Sequence, residues 1–478
     1  MGLSQTTTST LPLETLSFPV EAANLEAQVP TATQEQQDAI ASSKQRRSDG
    51  AYLDGLRGIA ALGVFNHHLL GDGQSPTANA AVAAKGFWGM VLAAWTRLSY
   101  KGGTPAVCFF FILTGYVLSL SSLNALAKGR RKQCRGKLLA GAMRRPLRLY
   151  MPVLTVALVA ALMMQLPFNI FPDALWHKRR DNIFLELGAF LRITWEFFQP
   201  IRTTTVADHY AYNPVLWTIP ISLKGSLIVY SILMLLTAVP LSKPYITGAL
   251  STVAMLLLHK AYWWEACFII GIAIAVLRSN IGGTPSPAVK SQSLAVTVPS
   301  YIAVAAGLYL LSAPSLNGHP ELSANTPGWG WLTTHVPSSY SVNNYWRFWH
   351  SYGALTLILG LQNTKLIQRF LTTRPVQYLG HLSFMFYAVH FPIFLCIGDR
   401  WRRVLGRIPS MSEGRWYDNL LRVPAWGPEA LTLRTFVIYT TILAMVLVVA
   451  DWATKWIDEP CGRLCKKVGE NLEKRGSK

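Results

Sequence analysis

Charged side chains are scarce in this sequence. Asp, Glu, Lys and Arg make up 14% of the 478 residues, whereas they account for roughly a quarter of an average soluble protein. Acidic residues are the rarer sign, with 24 of them against 44 basic residues, and hydrophobic residues make up 51% of the chain. This balance excludes an ordinary soluble globular protein and predicts an all-α polytopic membrane protein.

Cysteine and regular repeats are scarce as well. Six cysteines are too few for a disulfide framework. Because three lie in apolar runs and three in basic stretches, we expect free thiols and no zinc or other metal. No repeat of roughly 20 to 50 residues, the length typical of solenoid proteins, is visible. The first residues form neither a basic region nor a compact apolar core, so we expect no signal peptide.

The net charge of +20 comes from short basic clusters between apolar runs. Residues 128–148 contain nine basic residues and no acidic one, and residues 314–343 contain neither Lys nor Arg. This alternation is typical of the positive-inside rule and not of nucleic-acid binding. We therefore expect a bilayer and no nucleic acid as partner, an ER-type endomembrane location and both termini in the cytosol. Residues 398–431 are the exception, since six arginines fall there on the predicted far side.

Apolar runs recur along the chain and predict a bundle of about ten transmembrane helices. They lie at 51–70, 104–124, 149–166, 214–239, 245–258, 262–277, 295–313, 346–361, 378–397 and 432–451. The polar and aromatic stretch 167–213, between the third and fourth runs, predicts an interfacial helix or lid. We expect a disordered polar cytosolic tail over 1–50, a membrane domain over 51–460 and a basic cytosolic tail over 461–478.

The first run contains four ionisable side chains, Asp54, Arg57, His67 and His68, and such groups are costly inside a bilayer. At about 100° per residue, Asp54, Arg57 and His68 share one side of a helix, and His67 lies off it. Arg57 and His68 are then separated by roughly 16 Å of helix rise. These ionisable residues form a stripe along one side of the helix, and such a stripe favours a functional site that faces a water-filled cavity. The alternative is a structural Asp54–Arg57 pair, with the histidines hydrogen-bonded near the opposite interface.

A second cluster, Arg144-Arg145-Pro146-Leu147-Arg148, precedes the third run. Arg145 and Arg148 lie one turn apart at a predicted helix start, with Pro146 in the first turn. Two guanidinium groups beside a helix N-terminus are well suited to bind phosphate. Ordinary positive-inside charge or binding of lipid headgroups is the alternative.

Two further runs carry polar side chains. Lys224 lies in the run that contains Trp217, where it either snorkels to an interface or reaches a wet cavity. Ser383, Tyr387 and His390 share one face of a predicted helix. This polar seam fits either a cavity wall or a hydrogen-bonded contact between helices.

In their order along the chain, these segments resemble the acyltransferase-3 family of integral-membrane O-acyltransferases. The resemblance rests on YLDGLRGIAALGVFNHH, FFFILTGYVLS, RRPLRLYMP, LWTIP, YLGHLSFMFYAVHFPI and DWATKWIDEPCGR, and it extends over residues 51–465. It is closest to fungal members that have a polar N-terminal tail and no fused hydrolase domain. The family pattern of Arg, ten residues and His falls on Arg57 and His68, and its Arg-x-x-Arg pattern falls on Arg145 and Arg148.

Two positions depart from the family pattern. Ser222 stands where members commonly have a glutamate, so no acid is assigned there. Thr114 replaces a serine and keeps the hydroxyl.

The resemblance implies an O-acyltransferase that moves an acyl group, here expected to be acetyl, from acyl-CoA to a hydroxyl of a small metabolite, lipid or sugar. His68 is the expected general base, Arg57 contacts the donor or pairs with Asp54, and Arg145 and Arg148 hold the donor phosphates. The expected pocket residues are Asp54, Tyr116, Trp217, Lys224, Ser383, Tyr387 and His390. A multi-span secondary transporter that uses the buried Arg and His is the alternative, although the chain shows no pair of related halves.

Overall fold

The computed structural model describes residues 34–70, 86–166, 177–199, 209–240, 242–281, 294–316, 318–408, 414–426 and 432–476. These residues are mostly helical, and no β-strand occurs among them. The all-α prediction is therefore confirmed for this part of the chain. Residues 1–33 of the predicted polar tail lie outside the described residues, and the first helix begins within that tail, at Gln34.

The described part of the chain folds into seventeen α-helices with a few 3₁₀ and π-helical turns. In order they are α1 (Gln34–Leu70), α2 (Gly86–Lys101), α3 (Gly103–Ala127), α4 (Arg131–Met164), α5 (Ile183–Phe198), a 3₁₀ turn (Pro214–Trp217), α6 (Thr218–Leu236), α7 (Lys243–His259), α8 (Trp263–Arg278), α9 (Leu294–Leu311), α10 (Pro320–Ala324), α11 (Gly330–Thr334), α12 (Trp346–Leu361), α13 (Lys365–Leu371), α14 (Arg374–Ile393), a π-helical turn (Phe394–Gly398), α15 (Asp399–Val404), α16 (Leu433–Ala453), a second π-helical turn (Thr454–Asp458) and α17 (Glu459–Gly476).

Six helical segments among the described residues are long and apolar enough to cross a membrane, which identifies an integral membrane protein. They are Gly103–Ala127, Arg131–Met164, Pro214–Leu236, Leu294–Leu311, Arg374–Val404 and Leu433–Glu470. The other four predicted runs fall on α1, α7, α8 and α12, and these are helical too. The larger count of about ten spans, and the interfacial role of residues 167–213, stay predictions. Of that stretch, 167–176 and 200–208 lie outside the described residues, and the remainder carries α5.

Buried side chains form two hydrophobic cores. The first core is built mainly by α3, α7, α8, α9, α12 and the C-terminal part of α6. The second is built mainly by α1, α4, α5, α14, α16 and the start of α6. Phe110 and Trp217 pack against both cores, so these two aromatic side chains mark where the two halves of the bundle meet.

Glycine allows α1 to approach α14 closely. A Cβ atom on Gly58 would lie 2.5 Å from the backbone nitrogen of Gly380, and one on Gly380 would lie 2.3 Å from the carbonyl oxygen of Asp54. Small residues permit this kind of contact between membrane helices because the backbones themselves can touch. The contact fixes the face of α1 that carries Arg57 relative to the face of α14 that carries Ser383.

Two of the six arginines that break the positive-inside pattern, Arg402 and Arg403, are neutralised locally. Arg402 lies 3.2 Å from a carboxylate oxygen of Asp399, and Arg403 lies 2.8 Å from one of Asp418. Both arginine side chains are buried, and that of Arg402 also lies over the ring of Phe394. Because their charges are compensated within the same segment, they are poor reporters of the side of the membrane.

Candidate active site

A large cavity of about 920 Å³ opens between the two cores, walled by α1, α3, α4, α6, α12, α14 and the 3₁₀ turn before α6. Its wall includes seven of the eleven site residues predicted from the sequence. These are Arg57, His68, Arg145, Arg148, Trp217, Ser383 and Tyr387. Residues that are far apart in the chain therefore share one space large enough for a small-molecule substrate.

The other four predicted residues are not part of the cavity wall. Asp54 is 59% exposed and lies 3.2 Å from Arg57, as the sequence predicts for this pair. Tyr116 packs against the first core, and Lys224 is half-buried on α6. His390 is buried behind His68, with 5.3 Å between the ring centroids. His390 thus reaches the cavity through neighbours that line it, His68 and Tyr387.

One end of the cavity carries Arg57, Arg145 and Arg148, and we call it the basic end. The Nε of Arg145 donates a hydrogen bond of 3.0 Å to the hydroxyl of Ser226. Arg148 makes a two-pronged ion pair with Asp458, in which Nη2 lies 2.9 Å from Oδ2. All three guanidinium groups at this end therefore have protein partners.

The prediction that a helix begins at Arg145 and Arg148 is wrong. Helix α4 begins at Arg131, and Pro146 lies in its interior, so no helix dipole is centred on Arg145 and Arg148. Proline is tolerated inside membrane helices because neighbouring groups satisfy the freed carbonyl. Any binding of phosphate here rests on the guanidinium groups alone.

The other end of the cavity carries His67, His68 and Arg347, and we call it the histidine end. The rings of His67 and His68 are 5.1 Å apart. Behind them, the Nδ1–H of His390 donates a 2.8 Å hydrogen bond to the carbonyl of Tyr387. This bond leaves Nε2 of a neutral His390 as a hydrogen-bond acceptor. His390 can therefore accept a hydrogen bond from an N–H group of a neighbouring side chain.

Tyr387 and Ser383 are anchored to the backbone around the cavity. The hydroxyl of Tyr387 donates to the carbonyl of Val215 and lies 2.7 Å from the hydroxyl of Thr218. The hydroxyl of Ser383 donates to the carbonyl of Gly380 at 2.8 Å. Tyr387 thereby ties α14 to the 3₁₀ turn and to the start of α6, and residues of all three line the cavity.

Two residues of the histidine end were not among the predicted site residues. His67, placed off the stripe by helical spacing, lines the cavity and packs against Gly103, where a Cβ would lie 2.8 Å from that of His67. Arg347 lines the cavity from the start of α12. A signal for Arg347 was present in the sequence, since it is a single arginine at the start of the apolar run 346–361, just after a stretch without Lys or Arg.

A buried polar network outside the membrane-spanning helices supports the wall that carries Trp217. The carboxylate of Glu186 accepts hydrogen bonds from the hydroxyl of Tyr212 at 2.7 Å and from the backbone of Arg180 at 2.9 Å, and it lies 2.8 Å from Nε2 of His177. Burial acts to raise the pKa of Glu186, but these hydrogen bonds outweigh it and hold the pKa below its ordinary value.

The segment after this network is fixed to α14. The side-chain amide of Asn213 donates a 2.9 Å hydrogen bond to the carbonyl of Ala388. Tyr212 and Asn213 are fully buried. The turn from Pro214 to Trp217 is therefore held from both sides, and Trp217 is presented to the cavity by fixed neighbours.

Comparison with known proteins agrees with these features. The model of a family described as "Acyltransferase domain" matches residues 51–454. O-acetyltransferase PaAT-1 of Phomopsis amygdali is 26% identical over 445 residues, which cover 85% of this chain and 82% of that protein. Acyltransferase clz18 of Cochliobolus lunatus is 25% identical, over 86% of this chain and 94% of that protein. Acyltransferase R4 of Phoma sp. is 24% identical, over 88% of this chain and 96% of that protein. No solved structure matches the chain.

Proposed function

The chain belongs to the acyltransferase family whose model covers residues 51–454 and is an O-acyltransferase, and on this premise we propose that it transfers an acetyl group from acetyl-CoA to a hydroxyl of a small metabolite. The observation that carries the proposal is the shared cavity, whose wall holds three arginines at one end and His68 at the other. Family membership favours this enzyme over the transporter that the sequence left open.

The donor binds at the basic end. Guanidinium groups hold phosphate through charge-assisted and often paired hydrogen bonds. Arg145 and Arg57 offer such donors, and Arg148 joins them while sharing its fork with Asp458. With the phosphates held there, the thioester lies further along the cavity, towards His68. The topology predicted from the sequence has both termini in the cytosol, so the basic end of the cavity opens to the cytosol. Acetyl-CoA is available on that side of the membrane.

His68 is the general base. It takes the proton of the acceptor hydroxyl as that oxygen attacks the carbonyl carbon of the thioester, and the new carbon–oxygen bond replaces the carbon–sulfur bond. The proton then passes from His68 to the departing CoA thiolate, so that the enzyme returns to its starting state. His390 is a positioning residue, since its Nε2 can accept a hydrogen bond from the second ring nitrogen of His68 and fix the tautomer.

The acetyl group is supported by the name of one relative, O-acetyltransferase PaAT-1, and the small-metabolite acceptor by the cavity volume of about 920 Å³. We place the enzyme in an ER-type endomembrane.

A substitution at His68 tests the proposal. The purified full chain, in detergent or nanodiscs, is incubated with radiolabelled acetyl-CoA and a metabolite extract of the source organism, and label in the extracted metabolites is measured. We expect His68→Ala to lower the rate by at least about 100-fold, because general bases contribute about 10² to 10⁴. The matched control is His381→Ala, an exposed histidine of α14 outside the cavity. Full transfer by the His68 variant would remove the assignment.

A further inference from the structure

Arg347 is a buried cation without a carboxylate partner in the described part of the chain. Its side chain is 3% exposed, and Nη1 donates to the carbonyl of Thr104. The guanidinium lies 4.7 Å from the ring centre of Trp263 and 6.0 Å from that of Trp217. Its Nε has no hydrogen-bond partner among the described residues. Because arginine stays charged when buried, this position is expensive unless an anion reaches it.

The position of Arg347 ties it to the reacting end of the cavity. Gly103 packs against His67, and the carbonyl of the next residue, Thr104, accepts the hydrogen bond from Arg347. His67 in turn lies beside His68. Arg57, at the basic end, is eleven residues from His68 on α1, a rise of roughly 16 Å. Arg347 is therefore close to the proposed base and far from the proposed phosphate site.

The wall of the cavity has only one sign of charge. Its described residues include four arginines, which are Arg57, Arg145, Arg148 and Arg347, but neither Asp nor Glu. The donor phosphates account for the arginines of the basic end. The acyl group and the thioester of the bound donor are neutral, so before the reaction begins the donor carries no charge for a permanent cation at the histidine end to bind.

We propose that the acceptor is a hydroxy acid, whose carboxylate is bound by Arg347 while its hydroxyl is presented to His68. A single guanidinium matches the single charge of a carboxylate, and its fork can pair with both carboxylate oxygens. The apolar wall between the two ends, formed by residues such as Val107, Phe110 and Leu113, suits an apolar body on the same molecule. This inference rests on the proposed function and names its acceptor class.

The charge of the product tests the inference without any substitution. The full-length enzyme is incubated with radiolabelled acetyl-CoA and a metabolite extract of the source organism, and the labelled products are partitioned between water and organic solvent at pH 8 and at pH 2. We expect the label to enter the organic phase at pH 2 and to stay in water at pH 8, as an acetylated acid does. Label that enters the organic phase equally at both pH values overturns the inference but leaves the proposed function standing. A complete absence of labelled product contradicts both.

Methylation of the extract tests whether the carboxylate is recognised. In a second aliquot, carboxylic acids are converted to their methyl esters before the enzyme is added. We expect labelling to fall at least tenfold, because the ester no longer carries the charge that Arg347 binds. Equal labelling of the esterified acceptor would show that the carboxylate is not bound and would overturn the inference.

Substitutions at Arg347 separate acceptor binding from a general effect on the reaction. For the acceptor fraction purified from the first experiment, we expect Arg347→Gln to raise its KM at least tenfold and to leave the KM for acetyl-CoA unchanged, while Arg347→Lys keeps part of the affinity. The control is Arg97→Gln, which removes another buried arginine that bonds to the carbonyl of Ser312 outside this cavity. If Arg347→Gln lowers kcat with both KM values unchanged, Arg347 acts on the transition state, and the inference fails.

Discussion

The two ends of the cavity differ in how their positive charges are compensated. At the basic end, Arg57 pairs with Asp54 and Arg148 with Asp458, and Arg145 bonds to Ser226. At the histidine end, Arg347 has a backbone carbonyl, the thiol of Cys108 and two tryptophan faces but no carboxylate in the described part of the chain. Paired cations hold their position before a ligand arrives, whereas an unpaired buried cation offers its charge to the ligand itself. The first arrangement suits a common donor, and the second suits selection of one acceptor class.

Separating α1 from α14 should have the largest effect, since it disturbs both ends at once. Gly58→Ala places a methyl group 2.5 Å from the backbone nitrogen of Gly380, and overpacking of this kind costs about 1–3 kcal/mol. We expect a lower melting temperature and loss of most transfer activity. Gly248→Ala on α7 is the control, because nothing lies within 4 Å of its added Cβ. Equal melting temperatures for both variants would refute the close α1–α14 contact.

Removing the positive charges of the basic end should weaken binding of the donor and leave binding of the acceptor unchanged. We expect the double variant Arg145→Gln/Arg148→Gln to raise the KM for acetyl-CoA by at least about 100-fold, because two charged groups are lost and hydrogen bonds to charged groups contribute about 1.5–3 kcal/mol each. The acceptor KM should stay unchanged, the reverse of the result expected for Arg347→Gln. Arg131→Gln/Arg135→Gln is a matched control on α4, whose arginines bond to Thr237 and Val239. An effect on the acceptor KM would remove the distinction between the two ends.

Breaking the Arg148–Asp458 ion pair should have a smaller effect on donor binding, and it tests how pairing a cation changes its affinity for a ligand. Asp458→Asn makes Arg148 an unpaired cation like Arg347 and removes a competitor for the donor phosphates. We therefore expect a KM for acetyl-CoA that is a few-fold lower, together with a loss of about 1 kcal/mol in stability. Glu459→Gln is the control, because that carboxylate lies at the surface near His381 and Arg463. A higher KM would mean that Asp458 orients Arg148 for the donor.

Replacing Glu186 should have the smallest effect, which is a change in how the stability of the protein depends on pH. The pKa of Glu186 is lower in the folded protein than its ordinary value of 4.5, so its ionised form stabilises the fold above about pH 4.5. This contribution is lost as the pH falls through the lower pKa of the folded state. We expect the melting temperature of Glu186→Gln to fall less than that of the wild type between pH 5 and pH 3. Parallel curves would show that Glu186 contributes nothing to acid stability.

Local periodicity predicted part of the site well and part of it poorly. The spacing of Arg57 and His68 put both on one side of a helix, a relation that depends only on helix geometry. Both residues line the cavity. Tyr116 and Lys224 lie in helices that are apolar on nearly every side, where no amphipathic pattern marks the inner face. Their absence from the cavity wall could not be read from spacing.

Helix ends and charge pairs were beyond prediction from the sequence for a related reason. The part of α4 that precedes Pro146 packs against α17, and the turn before α17 brings Asp458 to Arg148. Likewise, Arg402 and Arg403 make residues 398–431 look too basic for the far side of the membrane. In the structure, Asp399 and Asp418 pair with them and compensate their charges. A count of charges along the chain does not reveal which of them cancel.

The sequence by itself determined the all-helical membrane class, because continuous apolar runs of about 20 residues match a membrane-spanning helix and lack the alternation of a barrel strand. It also determined the Arg57–His68 stripe, which needs only the helical repeat. The tertiary structure alone decided which cations are neutralised and which face the cavity, since Asp458 lies 310 residues from Arg148 and Thr104 lies 243 residues from Arg347. Electrostatic pairing depends on distance in space, and contacts this far apart in the chain exist only once the bundle has assembled.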